Sequence, residues 1–256
     1  MVQWLLAHFS DCPVGEEVVE EAARRGSLWV LQLLEADRSR GGIRWSDTSV
    51  DEAARAGSAF EQNNLAEVKW AIANGFRVRS ISFPDCTEQE WAMRAEVLRF
   101  LLEGGHVLAT NIVGVAAYRA ARFGDFDFVK WLAAKYTTRI DVQYWVHALE
   151  NASERAHLSI VEWILSNVDG VVRANGPSEA MFAAAENGKV DVVQWLYKQY
   201  AGKLNVDLFQ ELVVLDDSGE EEILSDDDLV PITAMDAAAK NGHLGVLQFL
   251  NDIDVA

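Results

Sequence analysis

Cysteine is scarce: Cys12 and Cys86 are the only two, and neither belongs to a C-x-x-C pair. Such usage gives no disulfide framework and suits a reducing compartment, the cytoplasm or the nucleus. Long apolar runs are missing too, since none approaches the roughly 18 residues that a membrane span needs. The apolar start Met1–Phe9 has no basic flank and is too short for a signal peptide. Its Val2-Gln-Trp-Leu5 repeats Val193-Gln-Trp-Leu196, so the chain is expected to open inside a helix, as a truncated repeat or an excised fragment would.

Bases are in deficit. There are 22 Lys and Arg against 40 Asp and Glu, a net charge of -18. Eleven of the acids lie between Lys203 and Lys240, where no Lys or Arg occurs; the rest of the chain balances 29 acids against 22 bases. This excludes general affinity for nucleic acid or an anionic membrane. Catalytic signatures are also missing: no dinucleotide-binding glycine motif, P-loop, nucleophile elbow or H-E-x-x-H helix occurs. Neither cysteine has an activating neighbour in sequence. The reading is of a non-enzyme without cofactor or metal.

What is present is a repeat. Thr233–Leu250 holds two short helical patterns that meet at Asn241-Gly242, and the layout recurs upstream. Counting from each glycine-like position, the second helix is apolar at +2, +4, +5, +7 and +8. The +6 column is polar, reading Gln32, Lys69, Arg99, Lys130, Glu162, Gln194 and Gln248; the +7 column reads Leu33, Trp70, Phe100, Trp131, Trp163, Trp195 and Phe249. Spacings of 37, 30, 31, 32, 32 and 54 separate these +7 residues, and Trp4, a partial predecessor, lies 29 before Leu33. A period near 31 to 32 with paired helices is shorter than the tetratricopeptide repeat of about 34 residues. An aromatic column flanked by aliphatic ones marks the core between repeats, so Trp163→Ala is expected to cost about 3–5 kcal/mol.

The first helix of a unit ends in Ala-Ala-x-x-Gly, as in Ala22–Gly26, Ala53–Gly57, Ala120–Gly124, Ala184–Gly188 and Ala238–Gly242. Small alanines let neighbouring first helices approach, and glycine supplies the left-handed stop. Pro13, Pro84, Pro177 and Pro231 are expected just before first helices. Ser27, Asp125, His157 and His243 follow the turn and are expected to cap the second helix. The third unit reads as one long helix from about Thr87 to Glu103, and the second carries about six extra residues around Ser58–Asn63.

These residues resemble ankyrin repeats, whose period is about 33. Thr233-Ala-Met-Asp236 stands where that family has Thr-Pro-Leu-His, and Gly242-His-Leu-Gly-Val-Leu-Gln-Phe-Leu250 follows the rest of its pattern. The Met-Asp and the Trp column are similar to a Trp-rich variant of the family. The resemblance implies an all-α, ankyrin-like solenoid of about seven repeats plus a partial one. It runs through residues 1–256 as a single domain, with hairpin fingers reduced or absent. Residues 204–230 form an acidic insertion after the sixth repeat, expected to be partly disordered. Within it, Val213-Val-Leu-Asp-Asp-Ser218 resembles a SUMO-interacting motif, which binds a partner as an added strand, and Leu208–Leu215 reads equally well as a helix returning to the stack. Ser218 and Ser225 have the Ser-x-x-acid form that acid-directed kinases favour. The insertion also reads as an internal competitor that covers a basic track.

The family's geometry implies a protein or peptide partner in the concave groove, bound by a monomer acting as scaffold, adaptor or recognition part of a larger protein. Candidate contacts are residues that break their columns. Trp29 is the one large aromatic at the +3 address. Phe123 stands out one place before the turn, in a column with Arg25 and Arg155. Two places before the turn stand Arg24, Arg55, Arg122, Glu154, Glu186 and Lys240, a largely basic column suited to an acidic or carboxylate-bearing peptide.

Overall fold

The computed structural model describes residues 64–73, 86–106, 110–203, 206–210, 212–215 and 229–254, together with residues 18, 22, 27, 29, 30, 32 and 33. The chain divides into two compact units, Met1–Ile112 and Val113–Ala256. In the first, helices α1 (Asn64–Ala73) and α2 (Glu88–Glu103) pack together around Val68, Trp91, Leu98 and Leu101. Helix α2 is the long helix expected of the third unit. Thr87 starts it with a reciprocal cap: its Oγ1 accepts from the Glu90 N–H (3.3 Å), and the Glu90 carboxylate accepts from the Thr87 N–H (2.7 Å). These bonds hold the Glu90 carboxyl below its usual range.

The second unit, whose boundary at Val113 falls in the first turn of α3, is a series of helical pairs: α3 (Thr110–Arg122) with α4 (Phe126–Tyr136), α5 (Val142–Glu154) with α6 (Leu158–Asn167), α7 (Gly176–Glu186) with α8 (Val190–Tyr200), and α9 (Ala234–Lys240) with α10 (Leu244–Asp254). First helices pack on first helices, α5 on α7 and α7 on α9; second helices pack on second, α4 on α6 and α8 on α10. That stacking is the helical-repeat solenoid implied by the repeats. The alanine pairs make it possible, since Ala120, Ala121, Ala184 and Ala185 are fully buried between helices. In the second helices the +4 and +8 residues are buried throughout: Phe128 and Leu132, Ile160 and Ile164, Val192 and Leu196, Val246 and Leu250.

The Trp column is not part of that core. Trp131, Trp163 and Trp195 are half-buried, because +7 lies at the outer edge of the stripe whose centre is +4, +5 and +8. Their rings make edge or tilted aromatic contacts instead. Trp163 meets Phe126 of the preceding repeat (6.3 Å), Trp131 meets Phe128 and Tyr136 (5.2 and 5.8 Å), and Trp195 meets Tyr200 (6.4 Å). Among the described residues the buried indoles lie elsewhere, Trp145 on the first helix α5 and Trp91 on α2.

In the second unit the connections between repeats are short, except the one before α9. There β1 (Leu212–Leu215) pairs antiparallel with β2 (Leu229–Ile232), Leu215 facing Leu229. The helical reading of Leu208–Leu215 therefore gives way to a turn at 208–209 and a strand over Leu212–Leu215, in keeping with the β-branched Val213-Val214. Pro231 stands within β2, opposite Val213, rather than at a helix start. A two-stranded ribbon accommodates it because one edge of each strand needs no amide donor. Pro177 does sit in the first turn of α7.

Candidate functional site

Each described turn between paired helices is closed by the same backbone bond, from the residue after the turn to the first alanine of the signature: Asp125 to Ala120, His157 to Ala152, Lys189 to Ala184 and His243 to Ala238, at 2.8–2.9 Å. Ser27 bonds Ala22 alike in the first unit. The turn residue takes positive φ: 72° at Gly124, 68° at Gly188, 72° at Gly242, and 60° at Ala156.

Side chains at the next position divide by chemistry. Asp125 caps α4 as expected, its Oδ1 accepting from the Phe128 N–H (3.1 Å). His157 makes no side-chain cap. Its ring reaches back a repeat and donates from Nε2 to the carbonyl of Arg122 (3.1 Å), and His243 does the same to Glu186 (2.8 Å). An imidazole is too long to fold onto its own first turn but spans the gap to the previous one. Both rings lie over the preceding glycine: a Cβ on Gly124 would stand 2.7 Å from His157, and one on Gly188 would stand 2.6 Å from His243. Glycine is thus required there twice, for φ and for room.

The residues two before the turn form a row across the first helices. Arg122 reaches α5, with Nη1 3.6 Å from Glu154 and 3.3 Å from Asn151 Oδ1; Arg155 Nε donates to Glu154 at 3.1 Å. Glu154 is thus held between two guanidiniums. Glu186 and Lys240 continue the row, exposed. Further along the same helices His147 pairs with Glu150 (3.0 Å), and Glu179 on α7 is half-buried nearby. Burial pushes the Glu179 carboxyl up, the negative charge of Glu150 adds to the effect, and His147 opposes it. Phe123 is half-buried, and Trp29, in the first unit, is 57% exposed. At the place of Phe123, later repeats carry Asn187 and Asn241, whose amides donate to the carbonyls of Ala183 and Ala237 and tie off the helix end. Arg24, Arg25, Arg55, Ser218 and Ser225 lie outside the described residues.

The residue pattern does not announce two features of the fold: the back-reaching histidines and a pocket in the last two repeats. The covariation of glycine with the following repeat's histidine could have revealed the first: Gly124 with His157, Gly188 with His243, and Ala156 with Lys189. Among the described residues no group of three or more His, Cys, Asp or Glu is placed to hold a metal ion. Among them, too, no helix is long and apolar enough to cross a membrane.

No protein-family model matches the chain, and no curated protein matches it either. Among solved structures it is similar to the crystal structure of the human ASB11 ankyrin repeat domain, at 19% identity and a TM-score of 0.36, over 91% of this chain and 82% of that one. The assignment of a helical-repeat stack rests on the packing of α5, α7 and α9, not on that likeness.

Proposed function

We propose that the chain is a non-enzymatic scaffold or adaptor that takes a protein partner along the face formed by its first helices. The row Arg122, Glu154, Glu186 and Lys240 carries this reading. These are charged side chains on consecutive helices that reach solvent, at an address where backbone bonds and the histidines already close the turn. Such residues are free to be chosen for recognition. For an acidic peptide, Arg122 and Arg155 become available when its carboxylates replace Glu154, a surface ion-pair exchange worth little either way. By sequence register Arg24, Arg25 and Arg55 belong to the same columns, and Trp29 is an exposed aromatic of the first unit. The protein acts as a monomer in the cytoplasm or nucleus, and Ser218 and Ser225 are kinase targets in the acidic insertion.

The test compares the parent with an Arg24→Glu, Arg55→Glu, Arg122→Glu variant by affinity purification with mass spectrometry, followed by titration of the recovered partner. Loss of that partner by a variant that melts like the parent is the expected result. Unchanged affinity refutes the basic track. Turnover in a hydrolase or transferase screen refutes the non-enzymatic reading.

A further inference from the structure

A second surface lies at the end of the last two repeats from which the β1–β2 ribbon projects. Tyr197 on α8, Phe209 in the following connection, Thr233 and Met235 at the start of α9, and Leu250 and Ile253 near the end of α10 line a cavity of about 380 Å³. That is enough for one large side chain of a ligand. Its walls are braced by aromatic contacts, Tyr197 lying 6.4 Å from Phe209 and 5.8 Å edge-on from Phe249. Leu250 is buried, while Phe209 and Met235 are 38% and 41% exposed. Of the exposed large hydrophobic residues among those described, these two share one cavity, where contiguous apolar surface marks binding. Thr233 offers no free hydroxyl, since its Oγ1 donates to Asp236 and accepts from the Asp236 N–H. The interior therefore selects an apolar group.

The rim selects by charge. Asp207, Asp236 and Asp252 are exposed, each within two residues of a lining position, against one exposed ammonium so placed, Lys198. Helix α10 ends here with no basic residue in its last turn, so its carbonyl end adds negative potential.

We propose that this cavity is a docking site for a cationic peptide segment: one aliphatic or aromatic side chain enters between Phe209 and Met235, and flanking Lys or Arg residues meet the carboxylates. The site is separate from the first-helix row, and its ligand carries the opposite charge to the one proposed there. A second copy of this chain is disfavoured by a net charge of -18 on each, and the apolar pair Ile223-Leu224 of its own insertion is embedded in acids.

Fluorescence anisotropy on the full chain decides the matter, with three labelled synthetic peptides: a leucine in a Lys/Arg/Ser background, the same peptide with that leucine replaced by alanine, and a version with every base replaced by glutamate. The leucine peptide should bind, the alanine peptide about tenfold or more weakly, and the glutamate peptide not measurably. Met235→Asp is the informative variant. It places an acid in the first turn of a helix, where acids are tolerated, and it increases the attraction for cations. It should nonetheless weaken the leucine peptide about tenfold while leaving the alanine peptide unweakened. Phe209→Ala, a smaller change, should act in the same direction. The arginine-to-glutamate variant should bind the leucine peptide as the parent does, which separates this site from the first-helix row. Equal binding of the leucine and alanine peptides, undiminished binding by both pocket variants, or no binding of the leucine peptide overturns the proposal. A dimer in sedimentation that Met235→Asp dissolves would assign the cavity to a second copy and overturn it equally.

Discussion

Ala156 and Lys189 mark a joint that lacks the histidine bridge between two joints that have it, and rebuilding it tests how these repeats are held together. At the joints on either side, a histidine donates to the carbonyl two places before the previous turn and lies over that turn's glycine. By address the missing acceptor is the carbonyl of Glu154, the donor position is Lys189, and the residue under the ring would be Ala156. Ala156 holds φ at 60°, a conformation that costs an L-residue roughly 1–2 kcal/mol. Replacing it with glycine recovers that, less about 0.4–1 kcal/mol for the freer unfolded chain, for a net gain of about 0.5–1 kcal/mol. A histidine at 189 adds a net hydrogen bond of about 0.5–1.5 kcal/mol.

The two changes should not add independently. With Ala156 in place, the new ring would meet its Cβ at the sub-3 Å approach calculated for Gly124 and Gly188, so Lys189→His alone should be neutral or destabilising. With Ala156→Gly, the pair should gain about 1–2.5 kcal/mol, or roughly 2–4 °C of melting temperature for each kcal/mol. Urea titration and calorimetry of the two single variants and the double variant read the coupling. Equal stabilisation by Lys189→His on either background would refute the claim that the turn residue is kept small for the next repeat's ring.

The half-buried Trp column makes a second prediction: Trp163→Ala should cost about 1–2 kcal/mol, while Trp145→Ala, in the closed core of α5, should cost about 3–5 kcal/mol in the same urea titration. Equal losses would return the column to the core. Glu179→Gln should raise the melting temperature at neutral pH, because burial and Glu150 penalise the charged carboxylate. A carboxyl raised above its unfolded value carries its penalty at high pH and sheds it as pH falls toward the ordinary value of about 4.3, so the parent should approach the variant on acidification. A gain unchanged by pH would refute that cause. Thr233→Ala should cost about 1 kcal/mol by opening the reciprocal cap of α9. Asp236, held below its usual range by the Thr233 hydroxyl and then by its N–H, contributes stability that is present above its ordinary pKa and lost as pH falls through the depressed one. A melting profile in acid insensitive to Thr233→Ala would show that the cap contributes nothing.

The divide between what could be read from the residues and what could not follows the range of the interactions. Helix pairing, the alanine seam and the long helix from Thr87 are local patterns of apolar period, small residues and caps, and each was legible because its cause lies within one turn of the residue that signals it. The Trp column misled because a conserved chemical type at a helical address says that a residue packs, not how deeply; one address separates the buried +8 of Leu132 from the half-buried +7 of Trp131. The histidines misled for a different reason. A cap is a bond to the next three residues, but His157 and His243 bond 35 and 57 residues back. In a solenoid those distances are one repeat and one repeat plus an insertion, so the bond is near in space and invisible to any window shorter than the period. The same holds for the cavity, whose lining comes from Tyr197, Phe209, Met235 and Leu250 on four separate segments, brought together by the register of the stack. Surface columns were legible as candidates but not as charges in context: Arg122 reads as a free cation until the next repeat sets Glu154 against it. In a repeat protein, then, the residue to examine beside any candidate is its counterpart one period on, because that residue decides whether a charge is presented to a partner or already spent on a neighbour.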